Sequence, residues 1–179
     1  MTFVAFQELA NDLGIETCID FNTKLLVPEE RIRALCLENK CDNYGKNYMC
    51  PPYISSLEEI RLKLRNFQHG LLLQYSKAID VKGNKEGVIQ TKIDFHNKVL
   101  QIEELLKERG INQVWGMIGG NCGLCDICKA KSNEPCSYPD KARMSLEAIA
   151  IDVLALLGKF GLDNDFHEDK ITWTGCILY

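Results

Sequence analysis

Apolar positions recur along the chain with two different periods, and each period predicts an element. In residues 3–13, Phe6, Leu9 and Ala10 share one face, which predicts a short amphipathic helix. Residues 16–27 alternate loosely and are β-branched in part, predicting one or two short strands. Pro28 stands where a first helical residue would, and Glu29 and Glu30 follow with the charge a helix N-terminus favours. That helix carries Ile32, Leu35 and Cys36 on one face and delivers Cys36 to the next loop. Leu57, Ile60, Leu64 and Phe67 mark another helix, and residues 71–78 read as a buried strand. The longest helix is predicted over residues 86–109, with Phe95, Val99, Ile102 and Leu106 as its stripe and Gly110 as its stop. Residues 114–118 form a strand pattern. Residues 145–160 repeat the helical period through Leu146, Ile149, Val153, Leu157 and Phe160. Residues 172–179 close the chain as a strand rich in β-branched and aromatic side chains.

Strands and helices in this order predict an α/β (or α+β) fold: a small mixed sheet of about four to five strands flanked by helices, with two cysteine-rich metal-binding loops. The 179 residues fit a single domain with one hydrophobic core. The second cysteine loop leaves the end of a strand, where open α/β sheets place their ligands. Neither an internal repeat nor a low-complexity tract interrupts the pattern.

Composition narrows the function classes. A formal charge of −4 argues against a nucleic-acid or anionic-membrane surface. No apolar run approaches the roughly 20 residues that span a bilayer. Residues 1–14 lack a basic cluster, and Gln7, Glu8, Asn11 and Asp12 interrupt their apolar positions, so no export signal is expected. The expected compartment is therefore a reducing cytoplasm, where thiols stay reduced. The nine cysteines are also odd in number, so they cannot all pair within the chain.

Seven of those cysteines fall in two short windows. The first holds Cys36, Cys41 and Cys50, with Tyr44-Gly45 as a turn and Pro51-Pro52 as a stiff exit. The second runs Gly119-Gly120 into Cys122, Cys125 and Cys128, followed by Cys136 and Pro139. Cysteines at intervals of three let one loop wrap a cluster and ligate three irons, the fourth ligand arriving from further along, as in bacterial ferredoxins. Gly119, Gly120 and Gly123 leave room for backbone N–H groups to approach an anionic cluster. The spacing departs from the ferredoxin pattern: Cys136 follows after seven residues and is not itself followed by proline, while Cys50-Pro51 supplies that Cys-Pro dipeptide elsewhere. Ligands shared between the windows are one consequence.

Zinc competes for the same residues, because Cys122, Cys125, Cys128 and Cys136 meet the tetrahedral count. The triple at intervals of three favours iron–sulfur. In the first window three thiolates on a four-iron cluster would leave one iron open, unless Cys18, Cys176, a histidine or Asp42 completes the set. Cys18 and Cys176 lie in strand patterns and read first as small buried apolar side chains.

The windows resemble those of the family described as predicted metal-binding protein, found in anaerobic bacteria and archaea. The matching stretches are residues 33–52 (Cys-x4-Cys-x2-Tyr-Gly-x4-Cys-Pro-Pro), residues 119–139, and the tail from Ser145, Glu147 and Ala148 into Ile151, Asp152 and Val153. The likeness covers nearly the whole chain. It implies metal binding, with iron–sulfur as the expected form, and no particular reaction. Ser137 follows Cys136 where the family pattern more often has an arginine.

Lys40, Lys46, Lys141 and Arg143 flank the windows and either offset cluster charge or serve as solvated surface cations. Tyr44, Tyr48 and Tyr138 either shield a cluster from water or pack the loops. Glu147 reads as a first-turn carboxylate, His69, His96 and His167 as isolated, and the acids at 163–169 lack the spacing of a calcium loop. The expected protein binds one or two 4Fe–4S clusters through Cys36, Cys41, Cys50, Cys122, Cys125, Cys128 and Cys136, and exchanges electrons with a redox partner protein. The alternatives are an iron–sulfur enzyme with an open iron and a zinc-stabilised binding module.

Overall fold

The structure is a computed structural model that describes residues 3–179, with side chains from residue 6. Met1 and Thr2, at the head of the stretch read for an export signal, lie outside the described residues. The elements follow the order α1 (Phe3–Asp12), β1 (Thr17–Asn22), α2 (Glu30–Leu37), α3 (Leu57–Leu64), β2 (His69–Ala78), α4 (Lys85–Glu108), β3 (Trp115–Met117), α5 (Val153–Lys159) and β4 (Lys170–Leu178). The class is the expected α/β mixture. Among the described residues the sheet has four strands in the order β1-β2-β4-β3.

Every ladder in that sheet is antiparallel, so the expected mixed pairing is replaced by the α+β form. The ligand-placing rule for parallel sheets therefore does not locate the site. One parallel bridge, Ile118 to Ser145, extends β3 at the sheet edge.

The two faces of the sheet hold separate cores because β2 and β4 are central and buried on both sides. Leu71, Leu73, Tyr75 and Ile177 pack with α1 and with Phe95, Val99, Ile102 and Leu106 of α4. Leu72, Cys176 and Leu178 face the other way, onto Ile32, Ile60, Leu64, Ile149 and Leu157. α3 starts with a full capping box, Ser56 and Glu59 each bonding the other's backbone N–H. Phe67 lies past the end of α3 but is still buried.

Two boundaries differ from the periodic reading. The helix expected from Pro28 begins at Glu30 with Glu29 as its cap, and Leu35 points to solvent at 54% exposure while Ile32 is buried. The helix expected over residues 145–160 is confined to α5. Before it, Ile118 N–H bonds Met144 O and Glu29 N–H bonds Ala150 O, which ties residues 144–150 to the sheet edge and to α2. Ala150 sits at φ +68°, and Asp152 opens α5 by accepting from Ala155 N–H at 2.9 Å. Leu146 and Ile149 are buried as expected, from turns rather than from a helix.

A candidate metal centre at the meeting of two cysteine loops

The first loop is built by turns around short polar side chains. Asn39 and Asp42 take left-handed φ values of 51° and 58°, which these residues tolerate, and Asn39 Oδ1 accepts from Tyr44 N–H at 2.9 Å. Cys36 lies in the last turn of α2, Cys41 is exposed, and Cys50 follows a turn closed by its N–H on Asn47 O at 2.9 Å.

The second loop leaves β3 through Gly119 and Gly120. Gly120 sits at φ +70° against Trp173, where a side chain would be strained. At Gly123 a Cβ would stand 3.1 Å from the Lys92 side chain of α4, so the bare backbone lets the loop lie on that helix. Cys128 then precedes a short 3-10 turn at Lys129–Ser132, stitched by Glu134 to Ser132 and Lys129. All nine cysteines are free thiols.

The two loops meet. Asn47, only 4% exposed, donates to Cys122 O at 2.8 Å, and Tyr48 donates to Glu134 O at 2.7 Å. Cys122, Cys125, Cys128 and Cys136 line one small cavity together with Asn47, Tyr48 and Tyr138. Its volume of about 20 Å³ holds roughly one water, so a larger group requires the loop to open. Cys50, of the first window, senses the thiols of both: burial pushes its thiol up to about 12, and Cys41, Cys36, Cys122 and Cys128 add to the rise. Burial also raises Cys36, with Arg33 opposing, and raises Cys122, whose sulfur accepts from the backbone N–H groups of Leu124 and Arg143.

Residues 20–179 match the family model described as Predicted metal-binding protein (DUF2284). The chain belongs to this family. No curated protein and no solved structure matches it.

For a member of a metal-binding family, the charges around these thiols are informative. Among the described residues, Arg33 Nε is the one buried side-chain nitrogen or oxygen without a hydrogen bond. It lies one helical turn before Cys36. On the other side, the half-buried Lys92 bonds Asn121 Oδ1 at 2.8 Å and has Cys122 and Cys50 as its electrostatic neighbours. Burial lowers the pKa of both cations, and neither ion-pairs with a carboxylate. Two partly buried cations facing a set of soft sulfur donors fit an anionic metal–thiolate group. Among the described residues no three His, Cys, Asp or Glu side chains stand close enough to hold a single ion as they are. A tetrahedral ion with bonds of about 2.3 Å would have to draw them together.

The other candidates fall elsewhere. Cys18 and Cys176 are buried in β1 and β4, and burial raises both thiols, Cys18 to about 11. Lys40 and Lys46 pair with Glu38 and Asp42 on the surface. Arg143 does not face a cluster; it forks onto the buried Glu103 of α4, its Nη2 2.5 Å from Oε2. His96 is buried with its Nε2 2.9 Å from Lys141 O, anchoring the chain after Cys136. His69 lies against Tyr179 and His167 pairs with Asp163.

Sequence alone assigns no site role to Arg33, Lys92 or Asn47. Arg33 was legible as the residue one turn from Cys36. Lys92 had no local signal, because it reaches the loop from a helix some 30 positions upstream.

Proposed function

We propose that this chain is an iron–sulfur protein whose seven clustered cysteines hold one or two 4Fe–4S clusters for one-electron exchange with a partner oxidoreductase. The observation that carries this reading is the electrostatic neighbourhood of Cys50, which takes in Cys36 and Cys41 of its own loop and Cys122 and Cys128 of the second. Cys122, Cys125, Cys128 and Cys136 are the natural set for one cluster, and Cys36, Cys41 and Cys50 for a second or for a shared site. When bound, such a cluster supplies reversible one-electron chemistry. The protein's part is to supply thiolates, the Leu124 and Arg143 N–H groups at Cys122, and the Arg33 and Lys92 charges.

A second reading, an enzyme with an open iron at the three-cysteine window, draws support from a cavity of about 910 Å³ that Cys36 and Cys41 help to line. Cyanide or a small thiol should perturb the spectrum of such an open site and leave a fully ligated carrier nearly unchanged. The Cys125→Ser variant tests the main assignment: bound iron should fall, and unchanged iron with an unchanged spectrum would remove the second window from the ligand set.

A further inference from the structure

The large cavity has its own recognition chemistry. Gln74 and Thr174 of the central strands help form its polar floor, and Ile32 of α2 and Leu157 of α5 line its apolar walls. Its volume lies within the range of sites that enclose small organic molecules. Glu147 lines it as well, presented by the turn that replaces the expected helix.

The free charge in this cavity is negative. The lysines that line it are already paired: Lys40 with Glu38, Lys82 with Glu168, Lys170 with Asp163. Asp152 is paired too, with Arg31. Glu147 has the Ser145 hydroxyl and its own backbone N–H as partners, and no cation. Glu147 is exposed to solvent, and the protein around its carboxyl raises its pKa. An ammonium at that point would stabilise the carboxylate by a charge-assisted hydrogen bond.

We propose that the cavity is a binding site for an organic ammonium, its apolar body against the Ile32 and Leu157 walls and its amine hydrogen-bonded to Glu147. The inference does not depend on which metal the cysteines hold.

The test is isothermal titration calorimetry on the metal-loaded protein at neutral pH with four probes sharing one phenyl body. Phenethylamine is the cation, phenethyl alcohol and benzylacetone are neutral, and hydrocinnamate is the anion. Phenethylamine should bind about tenfold more tightly than the alcohol, the worth of one charge-assisted bond. Hydrocinnamate should bind most weakly. Glu147→Gln should abolish the amine preference while leaving the metal spectrum and the affinity for phenethyl alcohol unchanged, which separates this site from amine coordination at a metal. Benzylacetone or the alcohol binding as tightly as the amine, an amine preference that survives Glu147→Gln, or no amine binding at millimolar concentration would each overturn the proposal. Loss of iron from the wild-type protein would count against the cluster reading alone.

Discussion

Single residues carry the electrostatics of this site. Arg33 and Lys92 place positive charge among thiols that are largely withdrawn from water, and such cations favour the more negative state of whatever those thiols hold. Replacing Lys92 by Met should therefore lower the reduction potential of the bound centre, by about 59 mV for each tenfold change in a one-electron equilibrium. Arg33→Met should act in the same direction, and an anaerobic redox titration reads both. An unshifted potential with full metal content would show that neither cation touches the centre electrically. His96 carries a different consequence. Burial lowers its pKa from 6.5, with the Lys141 carbonyl partly opposing and Arg143 reinforcing the shift. The unfolded chain then takes up the proton first as pH falls below 6.5, so this contribution to stability is present above that value and lost on acidification. His96→Gln should flatten the fall in urea midpoint between about pH 7.5 and pH 5.5. An equal fall in both proteins would place the titration elsewhere.

At the scale of elements, Asn47 works as a latch, because its buried amide is satisfied by the carbonyl of Cys122, 75 positions away. Asn47→Ala removes this bond and the one Met49 N–H donates to Asn47 Oδ1, leaving Asn121 as the side-chain donor to the Cys122 carbonyl, and should cost about 1–3 kcal/mol. Hydrogen exchange should then accelerate in both cysteine loops at once; acceleration in the first loop alone would mean that the loops are held together by other contacts. On the opposite face, Phe95 of α4 is fully buried, and Phe95→Ala should cost about 3–5 kcal/mol in a denaturant titration of the metal-loaded protein. The α4 stripe was legible in the sequence because one unbroken period of 3.6 residues decides which side is buried. Residues 145–160 misled for the same reason: turns and helix alike bury Leu146, Ile149 and Leu157, so the period continues where the backbone does not. The bonds that break that helix, from Ile118 and Glu29, come from distant parts of the chain. Local pattern does not contain them.

At the scale of the molecule, the fold brings two loops separated by some 70 residues into one cysteine assembly and leaves a cavity at its side. The cysteines themselves stood out in the sequence, since their spacing within each window is a local property. Their union did not, because it depends on antiparallel β4 running between β2 and β3, and on α4 carrying Lys92 under the second loop. Glu147 is visible in the sequence as a residue but not as a cavity wall, because the helical period runs on through the turn that presents it. The central claim is that this assembly holds iron–sulfur clusters. Anaerobic purification followed by absorbance at about 400 nm and by iron, sulfide and zinc analysis tests it directly. A brown protein with about four or eight irons and matching sulfide per chain is the predicted result. A colourless protein carrying one or two zinc ions would contradict it.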